Sequence, residues 1–361
     1  MLHFHTLEVA EVRPETSDAV SVSFKVPPEL ESEYRYRQGQ HIALRARIDG
    51  QEVRRTYSIC SAVEDRLLRV VIKRQESGGL FSDFANEKLE PGQTLDVLTP
   101  TGSFHTDLDA QSRRSYVGFA AGSGITPLIS IIKTTLSNEP DSRFVLFYGN
   151  RTTSSIIFHE DLEDLKNQYL ERFAVHFFLT REARDVELYN GRLDKQKCHE
   201  ILETLCPVDS VDEFFVCGPS TMIEDVTESL QSAGVDKKRI HFERFTTALA
   251  RKKPEQRKKS RPVGSQSAQS RVAVILDGMR TEFSMDYDGD SLLDAALEHG
   301  ADLPFSCKGG VCCTCRAKLK EGKVDMAANY ALEPHELEAG FILACQARPV
   351  TDRVVIDYDQ N

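Results

Sequence analysis

No apolar run in this chain approaches the ~20 residues that a membrane-crossing helix needs, although 40% of its 361 residues are hydrophobic. The opening residues, Met1-Leu2-His3-Phe4-His5-Thr6-Leu7-Glu8, hold neither a basic stretch nor an apolar one, so no secretory leader is expected. No internal repeat is detectable. The one basic run, 251–261, sets seven Lys/Arg against Glu255, a net of +6, and carries no interleaved aromatics. Nucleic-acid binding is therefore not expected. Nine cysteines are present, but four of them are spaced as a cluster rather than as a disulfide framework. That usage suits a reducing compartment, with the cytosol as default. At 28% charged, with a net charge of −11, the chain reads as a soluble protein of two or three domains.

What is present is concentrated near the C-terminus. Cys307, Cys312 and Cys315 form a C-x4-C-x2-C pattern, and Cys345 follows at a distance. This is the ligand spacing of a plant-type [2Fe-2S] cluster. Two irons need four thiolates converging from a tight loop. Gly309 and Gly310 are expected to let the backbone curl and point N–H groups at the sulfurs. The alternatives are a zinc site or a disulfide pair. Zinc sites usually join two C-x2-C knuckles, and only one such pair exists here. Cys313 reads as a small packing residue rather than a fifth ligand. From Arg271 to Asn361 nine Lys/Arg oppose sixteen Asp/Glu, a net of −7. Such a face could steer a basic partner or serve solubility alone.

The rest divides by pattern. Residues 1–110 show short alternating runs at 7–13, 19–26, 41–48, 66–73 and 93–98, which predicts a closed antiparallel β-barrel. Between 111 and 250 apolar runs at 116–120, 143–148, 173–180 and 213–216 alternate with helical stretches such as 127–137 and 159–171. That order predicts a doubly wound parallel α/β sheet. Residues 251–270 are charged, then Ser/Gln-rich, and read as a flexible linker. The segment 271–361 predicts a small α+β fold with strands near 272–276, 282–285 and 353–357 and a helix over 291–299.

Two sets of motifs bear on cofactors. Arg55-Thr56-Tyr57-Ser58 is placed at the end of the third barrel strand. It offers a positive charge, an aromatic face and a hydroxyl within four residues, as a flavin diphosphate with its ring would require. The motif alone is weak, since Tyr57 could be an ordinary strand residue. Ser77-Gly78-Gly79-Leu80-Phe81-Ser82 strengthens it, because glycines and a serine at a helix start make an anion-binding N-terminus; an N-capped loop is the plain alternative. In the α/β region, Ala121-Gly122-Ser123-Gly124-Ile125-Thr126-Pro127 follows a strand and opens a helix. Gly122 and Gly124 would let the backbone approach a pyrophosphate, and Pro127 suits the first helical turn. Cys217-Gly218-Pro219 places a thiol at the C-terminal edge of the sheet; no histidine is suggestively placed to make it a nucleophile. Arg151 stands at a strand end where an acid would bind a ribose diol, and could take a 2′-phosphate or be an exposed loop arginine.

Through these residues the chain resembles the ferredoxin–NADP reductase superfamily fused to a C-terminal plant-type ferredoxin domain of β-grasp type. More narrowly it resembles the reductase subunits of phenylacetyl-CoA 1,2-epoxidases. The likeness spans nearly the whole chain, including 55–60, 120–127, 148–152, 241–247, 301–315 and 329–334. It implies FAD, NADPH and one [2Fe-2S] cluster. It implies FAD on Arg55, Tyr57, Ser58, Lys73, Gly78, Gly79, Phe81 and Ser82, with Ser58, Thr126, Cys217, Glu243 and Phe245 near the stacked flavin and nicotinamide rings. It further implies an electron-transfer reductase serving an oxygenase or epoxidase of di-iron type. A Rieske ring-hydroxylating or steroid hydroxylase system is the alternative, and a flavin/iron–sulfur redox sensor is a second one.

Overall fold

The computed structural model describes residues 3–76, 78–245 and 269–360. The chain forms two compact units, 4–244 and a mainly C-terminal one whose described part is His3, Phe245 and 269–360.

In the first unit, six strands form one antiparallel sheet: β1 (Phe4–Thr16), β2 (Ala19–Lys25), β3 (His41–Ile48), β4 (Gln51–Ser58), β5 (Leu68–Lys73) and β6 (Thr94–Leu98), in the order β4-β3-β6-β1-β2-β5. A bridge between Ile59 and Val70 links the two edges. Alternating inward residues, among them Val9, Val22, Ile42, Leu44, Ile72 and Val97, fill the interior. Helix α1 (Leu80–Glu87) lies over it through buried Phe81 and Ala85. The Arg-Thr-Tyr-Ser motif lies in the fourth strand, not at the end of the third. β4 returns antiparallel on β3, with His41 opposite Ser58.

The second sheet of this unit is wholly parallel, in the order β11-β10-β7-β8-β9. Its strands are β7 (Ser115–Ala121), β8 (Arg143–Asn150), β9 (Phe173–Leu179), β10 (Glu213–Cys217) and β11 (Ile240–Glu243). Helices α2 (Ile125–Asn138), α3 (His159–Gln168), α4 (Lys195–Thr204) and α5 (Ser220–Ser232) connect them. Helix α2 starts two residues earlier than its pattern predicts. It is buried nearly all round, polar residues included: Ile131 packs with Phe104, and the Ser130 hydroxyl donates to the Ser61 carbonyl at 2.7 Å. Helix α3 stops three residues short of the predicted 171.

The C-terminal body holds a mixed sheet in the order β13-β12-β18-β14-β16 and a two-stranded ribbon, β15 with β17. The strands are β12 (Gln269–Leu276), β13 (Met279–Asp286), β14 (Arg316–Glu321), β15 (Val324–Met326), β16 (Phe341–Leu343), β17 (Ala347–Pro349) and β18 (Arg353–Asp357). Helix α6 (Leu292–Glu298) packs its apolar face on this sheet, capped by Ser291, whose hydroxyl accepts the Asp294 N–H. Helix α7 (Pro334–Glu338) is a single turn. The expected linker needs correction at its end: Gln269 and Ser270 belong to β12. Ser270 is fully buried, and its hydroxyl donates to the Thr351 carbonyl at 2.8 Å. The remainder, 251–268, lies outside the described residues. β13 is also longer than the predicted 282–285, because Asp277-Gly278, both at positive φ, close a two-residue hairpin.

Candidate functional site

The end of β4 carries the first group. Tyr57 is half-buried, with its ring 5.8 Å from that of Phe81, and burial raises its hydroxyl above the usual tyrosine range. Arg55 is exposed and donates to the Arg54 carbonyl at 2.7 Å; Lys73 lies 3.6 Å from Asp18. At the start of α1, Gly78 has φ +77, and a Cβ on Gly79 would lie 2.6 Å from the Ser82 hydroxyl. The backbone there fits a closely approaching anion. An internal carboxylate takes part of that role: Asp83 accepts the Gly79 N–H at 3.0 Å and the Arg74 guanidinium at 2.9 Å, which hold it below the usual carboxylate range. Ser77 of this motif lies outside the described residues.

A second group meets at the C-terminal edge of the parallel sheet. β7 and β10 are neighbours, so their ends bring Gly122, Gly124, Thr126 and Pro127 beside Cys217, Gly218 and Pro219. The approach is close: a Cβ on Gly124 would sit 2.0 Å from the Cys217 carbonyl oxygen. Gly122 has φ +53 and open space around it, and its carbonyl accepts the Tyr148 hydroxyl at 2.9 Å. The Thr126 hydroxyl donates to the Ser123 carbonyl at 2.9 Å, closing the first turn of α2.

Glu243 joins the two groups. It pairs in register with Cys217, and its carboxylate accepts the buried Ser58 hydroxyl at 3.0 Å. The same carboxylate lies 3.4 Å from Nδ1 of buried His41. Burial, and then the Glu243 charge, push the Cys217 thiol well up, which opposes a nucleophilic thiolate. Sequence reasoning missed His41; no motif marks it, and only the β3–β4 pairing brings it here. Phe245 follows β11 at the end of the described segment and is 37% exposed.

Arg151 extends from the end of β8 and is ion-paired with Glu76, from the loop between β5 and α1. Beside it, Glu182 accepts both the Thr153 hydroxyl at 2.6 Å and the Thr153 N–H at 2.8 Å, and these bonds hold that carboxylate low. Neither acid was anticipated, since each lies on a loop distant in sequence.

The four spaced cysteines converge in the C-terminal body as two thiol pairs, Cys307 with Cys312 and Cys315 with Cys345. The Cys312 thiol and the backbone N–H groups of Gly309, Val311 and Cys312 draw Cys307 below the usual thiol range. The Cys315 thiol, the Gln346 amide and the Gly310 N–H likewise lower Cys345. Four thiols in two pairs, with N–H groups aimed at sulfur, fit a two-iron cluster. Gly310 supplies a positive φ as expected, but Lys308 and Cys313, at φ +49 and +51, make the other bends in place of Gly309. Burial pushes the Cys313 thiol up to about 12.

Comparison with known proteins decides the family. Residues 6–106 match the oxidoreductase FAD-binding domain, 119–228 the oxidoreductase NAD-binding domain and 274–350 the 2Fe-2S iron-sulfur cluster binding domain. The chain is 45% identical over 359 residues to one of the subunits of the 1,2-phenylacetyl-CoA epoxidase of Escherichia coli K12, covering 99% of each chain. It belongs to the FAD- and [2Fe-2S]-dependent oxygenase reductases of the ferredoxin–NADP reductase superfamily. It is also 35% identical to the ferredoxin reductase component of 3-ketosteroid-9-alpha-monooxygenase from Rhodococcus rhodochrous, over 98% of this chain and 96% of that one. The fold is that of phthalate dioxygenase reductase, with a TM-score of 0.58, 20% identity and 98% of both chains covered. Members of this family are NAD(P)H oxidoreductases, and FAD, NAD(P)H and a [2Fe-2S] cluster are the cofactors of this chain. No helix among the described residues is long and apolar enough to cross a membrane.

Proposed function

We propose that this chain is the reductase component of a phenylacetyl-CoA 1,2-epoxidase, working in the cytoplasm with a di-iron epoxidase component. The full-length 45% identity to the Escherichia coli protein carries this reading. The net reaction is NADPH + 2 A(ox) → NADP⁺ + H⁺ + 2 A(red), where A is a one-electron acceptor. The bound flavin supplies the exchange between two-electron and one-electron chemistry. The protein's part is to bind, orient and exclude water.

In this reading Arg55, Lys73, Gly78, Gly79 and Ser82 hold the FAD diphosphate region, while Tyr57, Phe81 and Phe245 offer faces to its rings. Ser58 presents its hydroxyl to the flavin, and Glu243 fixes that hydroxyl's direction. Gly122, Gly124, Thr126, Pro127, Gly218 and Pro219 receive the nicotinamide nucleotide, with Cys217 as a neutral thiol in the wall. Arg151 takes the 2′-phosphate and gives NADPH its preference. Cys307, Cys312, Cys315 and Cys345 ligate the irons. The division into flavin (1–110), nicotinamide (111–250) and ferredoxin domains, the last with its start moved from 271 to Gln269, belongs to the same proposal.

Full-length 35% identity to the steroid hydroxylase reductase favours one rival, a reductase for that oxygenase class. Reconstitution separates them: the protein is mixed with NADPH and either a phenylacetyl-CoA epoxidase or a steroid hydroxylase oxygenase. Coupled epoxidation with the first alone is expected. Turnover with the steroid system alone would refute the reading.

A further inference from the structure

The nucleotide-facing edge of the parallel sheet already contains anions of its own. At the end of β8 the Arg151 guanidinium, 47% exposed, is paired with the Glu76 carboxylate, 71% exposed. One residue beyond Thr152, the Thr153 N–H and hydroxyl are both taken by Glu182, from the loop after the neighbouring strand β9. The Arg181 N–H donates to the Arg151 carbonyl at 2.8 Å, which ties the two loops side by side. A guanidinium beside a free-standing N–H and hydroxyl is the donor set of a phosphate site. Here each donor is satisfied by a carboxylate.

The two acids differ in origin. Glu182 belongs to the same sheet as its donors. Glu76 comes from the flavin barrel, three residues after Lys73 and just ahead of the glycines that open α1. We propose that Glu76 is a specificity-determining residue, an internal competitor that a nucleotide 2′-phosphate must displace from Arg151. This rests on the reading of Arg151 as the 2′-phosphate residue. A ligand with a 2′-phosphate exchanges one anion for another on the same guanidinium. A ligand with a free 2′-hydroxyl leaves the Arg151–Glu76 pair standing. Glu76 therefore narrows the preference for NADPH over NADH that Arg151 creates, and its effect vanishes without Arg151.

The pair is exposed, so its worth is small, and the effect sought is correspondingly modest. Calorimetry on the full-length holoprotein, with 2′,5′-ADP and 5′-AMP as probes, reads it without turnover. Glu76→Gln is expected to bind 2′,5′-ADP about two- to fivefold more tightly, equal to about 0.4–1 kcal/mol at 1.4 kcal/mol per tenfold, with 5′-AMP unchanged. Arg151→Ala is expected to weaken 2′,5′-ADP alone, and adding Glu76→Gln to it should change nothing further. The kcat/KM ratio for NADPH over NADH should rise in Glu76→Gln by the same factor. If Arg151→Ala weakens 2′,5′-ADP but Glu76→Gln does not tighten it, or tightens 5′-AMP equally, the role of Glu76 is refuted and the NADPH reading stands. If Arg151→Ala leaves 2′,5′-ADP binding unchanged, the NADPH reading falls and the proposal with it.

Discussion

Gly124→Ala is the sharpest perturbation of the nucleotide site. Gly124 has φ −62, a value that alanine adopts freely, so the substitution carries no backbone strain of its own. The obstacle is steric. An added methyl would lie 2.0 Å from the Cys217 carbonyl oxygen, 2.5 Å from its carbon and 2.9 Å from the Gly218 nitrogen. All three are backbone atoms and cannot rotate away, so the end of β10 and the turn before α2 must move apart by about 1.5 Å to restore a contact near 3.5 Å. Overpacking of this kind costs roughly 1–3 kcal/mol, which for a unit of this size lowers Tm by about 2–12 °C. Misplacement by about 1 Å can cost on the order of 100-fold in rate, so kcat/KM for NADPH should fall by roughly 10- to 100-fold. The flavin band and the cluster spectrum should remain, because neither motif is touched. Gly122→Ala is the comparison for stability alone: φ is +53 and nothing lies within 4 Å of its Cβ position, so its Tm should reflect only the left-handed penalty of about 1–2 kcal/mol, while its place in the nucleotide site makes its kcat/KM no control. Thermal unfolding and steady-state reduction of ferricyanide measure both variants. A Gly124→Ala protein with an unshifted Tm and an unaltered kcat/KM would refute the close approach of β10 to this turn.

Cys345→Ala should abolish the iron–sulfur absorption and leave the flavin band, whereas Cys313→Ala should keep both; bleaching by Cys313→Ala alone would overturn the ligand set. Glu243→Gln should lower kcat by roughly 10- to 150-fold, the worth of a hydrogen bond of about 1.5–3 kcal/mol from the Ser58 hydroxyl to a charged group, with KM for NADPH little changed; stopped-flow flavin reduction checks it, and a pure KM effect would count against its place beside Ser58. His105 has its basicity held down to about 4 by burial and then by Arg37, so the folded state favours its neutral form. Its contribution to stability is present above the unfolded histidine value of about 6.5 and is lost as pH falls from there toward about 4. Urea midpoints between pH 7 and 4 should therefore decline less in His105→Gln than in the parent.

What could be read from the sequence was whatever the chemistry confines to a few adjacent residues. A two-iron cluster needs thiolates at fixed short spacings, so Cys307, Cys312 and Cys315 announce it. A strand turning into a helix over a phosphate needs small residues at the bend, so Gly122 and Gly124 announce that. Alternation of period two over 41–48, and apolar runs separated by helical stretches after 111, likewise fix the barrel and the parallel sheet, since burial on one face or on two writes itself directly into residue order. The strands β14 to β17 went unread because they are short and partly exposed, and Gln269-Ser270 reads as linker although both join β12 and Ser270 is buried there. The polar contacts of the site were out of reach for another reason. Ser58 and Glu243 are 185 residues apart, and Arg151 meets Glu76 across two different sheets. Side chains such as His41 and Glu76 have no local signature, because a carboxylate or imidazole is equally at home on any solvated surface; Glu243 was marked through the 241–247 stretch, but not its bond to Ser58. Only the packing of β11 beside β10, and of the barrel against α2, decides that Glu243 is held between Ser58 and His41 and that the guanidinium of Arg151 already has a partner.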